Sequence, residues 1–331
     1  MSDTSQAIES GAFRDQAWST KWLVVGLGFL ALWYSIRFVD LEWMARWSVW
    51  THLLVALLVP QAFLLLFPFL ARDKNQARRI RVPGFERWLV EMAIAVPVVI
   101  ATVFVLGGLE YLVGQLWPGK TLVPDAISNM AASSPRYVYP ILLFSFTFAP
   151  VAEEVFFRGF LYNAFRRRMP VFIAGILQSF IFGFCHCFGT THAVIAVGLG
   201  IVLTLVYQWR KTLVSAVFVH AGLNLVCAIG VMAMMAQYAE RPMLGVVGGE
   251  SDTECIVREV LPNSGASEAG IEVGDRIVSF DSRPVANFTE LVALVATRQP
   301  NETVPLILVR DGETLGVDVT LKRCGDTMQS P

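Results

Sequence analysis

Long apolar runs alternate with short polar connections over the first two thirds of the chain, and then the pattern changes. Seven runs, at about 22–39, 49–71, 88–117, 137–165, 171–188, 193–209 and 213–236, can each cross a roughly 30 Å hydrocarbon layer as a helix. The third and fourth are longer than a crossing needs, so they tilt or extend into solvent. Beyond residue 242 apolar and polar positions alternate in short stretches. Residues 303–310 and 316–321 read as strands joined by an Asp311-Gly312 turn, after a helix-like stretch at 287–297. The pattern predicts a multi-span all-α membrane bundle of about seven transmembrane helices, followed by a small α+β domain. The expected boundaries are a tail at 1–20, a transmembrane domain at 21–238 and a C-terminal domain at 243–325.

Composition agrees. Mean hydropathy is +0.55 and only 16% of residues are charged, against about a quarter in soluble domains. The net charge of −1 comes with no basic, aromatic-interleaved stripe, which argues against nucleic acid as a partner. The first run lacks a small-residue cleavage site and reads as an uncleaved signal anchor. The five cysteines follow no zinc-finger or disulfide spacing. Basic residues crowd every second connection: Arg72, Lys74, Arg78, Arg79, Arg81 and Arg87; Arg166, Arg167 and Arg168; Arg210 and Lys211. The third connection holds only Lys120 and Arg136, and the fifth holds neither Lys nor Arg. By the positive-inside rule the N-terminus is cytoplasmic and the C-terminal domain exported, as in a bacterial inner-membrane protein. Arg37 and Arg46 in the first connection run against this count.

Polar residues inside the fourth, fifth and seventh runs change the picture further. The fourth contains Glu153-Glu154-Val-Phe-Phe-Arg158. Glu154 and Arg158 are four apart and share a helix face, whereas Glu153 points about 100° away. The fifth run holds Phe182 and His186, and the seventh His220 and Asn224, again at four-residue spacing. Charges at membrane depth cost about 2.5–3.5 kcal/mol each on insertion scales. One ion pair or one histidine could serve helix packing alone, but six such groups on three runs suit amide hydrolysis. A carboxylate and an imidazole can hold and deprotonate a water, while histidine and asparagine donors stabilise the oxyanion. Arg158 would keep Glu154 ionised. At about 1.5 Å per residue, Glu153, His186 and His220 lie ~20, ~24 and ~14 Å from the cytoplasmic ends of their runs. The first three runs add nothing beyond hydrophobicity.

The three motifs together, across 137–236, resemble the CAAX-protease and bacteriocin-processing (CPBP) family of intramembrane endopeptidases. The resemblance implies that Glu153 and His186 activate water and that His220 and Asn224 form the oxyanion site. Glu154, Arg158 and Phe182 would support them. No cofactor is expected. Zinc on Glu153, His186 and His220 is the alternative, although no His-Glu-x-x-His motif is present. Cys185 and Cys187 flank His186 but face apart on a helix, so both read as packing residues. A non-enzymatic membrane scaffold or immunity-type protein is the second alternative.

Residues 243–325 resemble bacterial PDZ domains of the kind fused to secreted serine proteases and site-two proteases. Ser264-Gly-Ala-Ser-Glu-Ala-Gly270 and Gly274-Asp275-Arg-Ile277 carry that likeness. Leu244, Gly245 and Val246 then fall where the family captures a peptide C-terminus on backbone N–H groups. The expected partners are a membrane-protein or membrane-associated polypeptide substrate and a peptide C-terminus or substrate tail at the PDZ domain. The connection at 237–242 is too short to let that domain roam.

Overall fold

The computed structural model describes residues 20–35, 51, 54–71, 85–116, 135–186, 190–248 and 254–328. The N-terminal tail, Arg37, Arg46, the basic run from Arg72 to Arg81, Lys120 and Cys187 lie outside the described residues. The chain divides into two compact units, one of residues 1–128 with 137–229 and one of 129–136 with 230–331.

The first unit is helical. Its elements are α1 (Thr20–Ser35), α2 (Val59–Leu70), α3 (Phe85–Leu116) and α4 (Pro135–Glu154), a π-helical segment (Val155–Tyr162), α5 (Asn163–Arg166), α6 (Val171–Cys185), α7 (Thr190–Arg210) and α8 (Leu213–Ala239), whose last turns belong to the second unit. Four helices are long and apolar enough to cross a membrane: Glu86–Leu116, Val138–Arg166, Thr191–Arg210 and Leu213–Ala239. The expected count of seven is not reached among the described residues. α2 and α6 are shorter apolar helices, and α1 has 16 residues. Outward-facing Phe104, Leu116, Phe172 and Leu205 are strongly exposed, as lipid-facing side chains must be.

Aromatic residues fill the interior. Phe63 and Phe67 of α2 meet Phe156 and Phe160 of the π segment at 5.2–6.2 Å between ring centroids. Phe157 stands edge-on to Phe182 of α6 at 5.1 Å. Glycine lets α6 and α7 approach to backbone contact. A Cβ on Gly183 would fall 2.3 Å from Val197 and 2.9 Å from the Ala193 carbonyl, and one on Gly200 would fall 2.9 Å from Ser179. In the π segment the Asn163 amide donates to the Arg158 and Gly159 carbonyls, at 2.8 and 3.0 Å.

The second unit is β-rich. Its strands are β1 (Pro242–Met243), β2 (Val246–Gly248), β3 (Val257–Val260), β4 (Arg276–Phe280), β5 (Arg283–Pro284), β6 (Thr303–Arg310), β7 (Glu313–Thr320) and β8 (Lys322–Arg323). They form a β5-β4-β6-β7 sheet and the pairs β2-β3 and β1-β8. Helices α9 (Gly265–Glu268), α10 (Phe288–Val295) and α11 (Cys324–Met328) complete it. Alternation along β6 sends Val304, Leu306 and Leu308 into the core, against Ile277, Phe280, Leu291 and Val319. Asp311 and Gly312 turn the β6–β7 hairpin with φ of +51° and +85°, the left-handed pair a two-residue loop demands. Ser264 and Asn287 cap α9 and α10. Asp275 is buried and receives Arg310 Nε and Nη2, both at 2.7 Å. The Arg310 guanidinium holds the Asp275 carboxyl below its ordinary range.

Candidate active site

The polar residues of the helical unit converge where α4 passes into the π segment. Arg158 Nη1 donates to Glu154 Oε1 at 2.8 Å, with both side chains fully buried. Arg158 Nη2 donates to the Gly200 carbonyl of α7 at 3.0 Å, and the Phe182 ring of α6 lies 4.8 Å from the guanidinium. A buried guanidinium depends on such partners, although its Nε has none among the described residues. His220 Nδ1, from α8, donates to the same Glu154 oxygen at 2.9 Å. Glu154 thereby ties the π segment to α8, and Arg158 ties it to α7.

Glu153 turns another way. Its Oε1 accepts from Gln61 Nε2 of α2 at 2.8 Å. Its Oε2 faces His186 Nε2 at 3.4 Å and His220 Nε2 at 3.8 Å. His186 Nδ1 bonds the Phe182 carbonyl at 2.8 Å, and His192 Nδ1 reaches the His186 carbonyl. A carbonyl only accepts, so the His186 proton is assigned to Nδ1, and Nε2 of the neutral ring presents a lone pair. Glu154 assigns the His220 proton to Nδ1 in the same way. Three lone pairs therefore meet in one small space: Glu153 Oε2, His186 Nε2 and His220 Nε2. At 3.4 Å the Glu153–His186 contact is of ion-pair length but too long for a strong hydrogen bond. Glu153 and His220 are buried, while a quarter of the His186 side chain is exposed.

The structure brings together Glu153, Glu154, Arg158, Phe182, His186 and His220. Asn224 lies one turn further along α8, where its Nδ2 donates to the Ser145 carbonyl of α4 at 2.7 Å. The sequence puts His186 inside a helical span at 171–188. Instead α6 ends at Cys185, and His186 follows with φ −102° and ψ 20°. The reason is local, since the imidazole caps a carbonyl of the last turn. The reading that the first three runs contribute only hydrophobicity is also corrected. Gln61 reaches Glu153, and Glu91 of α3 pairs with Arg210 through two bonds of 3.0 Å while accepting from Ser215 at 2.7 Å. The available signals were a lone amide and a lone acid, each in an otherwise apolar stretch.

Leu244, Gly245 and Val246 belong to the β-rich unit. Leu244 and Gly245 turn their carbonyls to the N–H groups of Ala266 and Leu261, each at 2.9 Å. Gly245 has φ +89°, and a Cβ there would fall 2.1 Å from Ser264, so only glycine fits. Glu153, His186 and His220 were the zinc alternative. Among the described residues no group of three or more His, Cys, Asp or Glu meets the spacing of a metal site.

Residues 135–226 match the family described as type II CAAX prenyl endopeptidase Rce1-like, and residues 230–321 match the PDZ domain. The chain carries an Rce1-like CAAX-protease segment followed by a PDZ domain. The Rce1-like segment contains every member of the cluster except Gln61. The match supports a membrane-embedded protease. The curated relatives align at the PDZ end. The periplasmic pH-dependent serine endoprotease DegQ of Escherichia coli (strain K12) is 37% identical over 94 residues, 25% of this chain and 21% of DegQ. The periplasmic serine endoprotease DegP of the same strain is 33% identical over 105 residues, 28% of this chain and 22% of DegP. The chain thus spans about a fifth of the length of these relatives. A solved serine endoprotease from Yersinia pestis aligns at 29% identity and a TM-score of 0.24, over 30% of this chain and 35% of that one.

Proposed function

We propose that the protein is an intramembrane endopeptidase that hydrolyses peptide bonds of membrane or membrane-associated proteins with water activated by Glu153 and His186. One observation carries this reading: the Glu153 Oε2 and His186 Nε2 lone pairs face each other at 3.4 Å beside a partly exposed ring. A water between them gives one proton to Glu153 as its oxygen adds to the scissile carbonyl. His220 and the second N–H of Asn224 stabilise the oxyanion. The proton on Glu153 then passes to the departing amine, leaving a new carboxyl and a new amino terminus. Phe182 and the Glu154–Arg158 pair hold both imidazoles in place. The test is cleavage of a membrane-protein substrate in proteoliposomes by wild type and by Glu153→Gln.

The reading needs no metal. Chelator treatment is expected to leave the cleavage rate unchanged. One zinc per active molecule, with activity lost on its removal and regained on its return, would favour the zinc-dependent alternative.

The basic connections orient the protein in an inner membrane with its N-terminus in the cytoplasm and its PDZ domain exported. A reporter that matures only outside the cytoplasm is expected to be active when fused after Pro331. Activity from a cytoplasm-only reporter at the same position would reverse the orientation.

The PDZ domain, through Leu244, Gly245 and Val246, captures a peptide C-terminus or substrate tail and so recruits or gates. Removing residues 243–331 is then expected to alter cleavage of a full-length substrate more than that of a short model peptide. Equal effects on both would remove the docking role.

A further inference from the structure

Gln61 lies on α2, outside the Rce1-like segment, yet its side chain touches the proposed base. We infer that Gln61 is itself a catalytic residue, whose side-chain carbonyl holds the attacking water together with Glu153; the inference rests on the hydrolytic reading above. The bond to Glu153 fixes the orientation of the amide, because a carboxylate oxygen only accepts and must meet Nε2. Gln61 Oε1 is therefore the other end. It is buried and has no hydrogen-bond partner among the described residues. Glu153 Oε2 is in the same condition.

Buried acceptors are unfavourable unless something donates to them. These two belong to side chains joined by a 2.8 Å hydrogen bond, and we place one small donor with two protons against both. Water is that donor. With one O–H pointing between Glu153 Oε2 and His186 Nε2 and the other on Gln61, it has its lone pairs free for attack. During the reaction the O–H facing Glu153 breaks and its proton goes to Oε2. The O–H on Gln61 stays intact and enters the tetrahedral adduct.

The plain alternative is that Gln61 only packs α2 against α4. Gln178 of α6 shows what such a residue looks like. Its Oε1 accepts from Thr204 at 2.8 Å and its Nε2 has no partner among the described residues, but no proposed base is bonded to it. A lone orphan atom is thus not diagnostic. Two orphan acceptors on mutually bonded side chains, one of them on the proposed base, are.

The experiment uses purified full-length protein in proteoliposomes and an internally quenched transmembrane peptide, with Glu153→Gln in parallel. Gln61→Met keeps length and apolar contact while removing donor and acceptor. Its kcat is expected to fall roughly 100-fold, with KM within about threefold of wild type and the protein still folded by helix content, at a thermal midpoint lowered by loss of the bond to Glu153. Gln61→Asn keeps the amide on a shorter stem and is expected to recover part of that loss. It carries the test alone if Gln61→Met does not insert, through a lowered kcat at unchanged KM. A wild-type kcat in Gln61→Met beside an inactive Glu153→Gln would overturn the role of Gln61 and spare the hydrolytic reading. An active Glu153→Gln would overturn both.

Discussion

Glu153→Gln abolishes cleavage and leaves the protein folded: this is the largest single effect expected. Glutamine has the same shape and can still accept the Gln61 bond through Oε1. It cannot take a proton from water at neutral pH. Losing a positioned general base costs about 10²–10⁴ in rate, and here no second carboxylate can substitute. Glu154 is fully buried and already bonds both Arg158 and His220. The measurement is product formation in proteoliposomes, with helix content and thermal midpoint of the same samples as the folding control. Cleavage at the wild-type rate would remove Glu153 as the base and favour the scaffold reading, in which the cluster serves packing alone.

The second large effect concerns stability. Glu154→Gln and Arg158→Met are each expected to destabilise the helical unit by about 3–5 kcal/mol, because each strands a buried charge. Arg158 cannot shed its charge, and the Gly200 carbonyl with the Phe182 face is too little to hold it alone. Combining the two replacements removes both charges, so the double variant is expected to be more stable than either single one. It should remain poorly active, since His220 loses its charged partner. Thermal unfolding of the detergent-solubilised variants measures this. Additive losses in the double variant would show that the pair contributes as two separate residues.

Contrasting these sites shows what a sequence can reveal. Glu154 with Arg158, Phe182 with His186 and His220 with Asn224 each follow a four-residue spacing that helix geometry turns into a shared face. The Gly274-Asp275 turn and the Asp311-Gly312 hairpin are legible for a similar reason, since left-handed backbone narrows the choice of residue. Gln61 had no such spacing, because its partner is 92 positions away on another helix. The end of α6 was hidden for a different reason. His186 caps its own helix with a side chain that in sequence looks like one more member of an apolar run. The count of about seven spans is not confirmed among the described residues, where α2 and α6 are apolar but shorter than the four long helices.

The π segment sets a limit on how this motif can be transplanted. A residue added within a turn rotates everything after it by about 100° relative to an uninterrupted α-helix. Glu153 and Glu154 precede that offset, whereas Asn163 and the basic stretch from Arg166 follow it. A regular helix bearing the same residues in the same order would aim the acids correctly and send the downstream anchors to the wrong azimuth. In this protein the Asn163 amide, holding the carbonyls of Arg158 and Gly159, braces that phase.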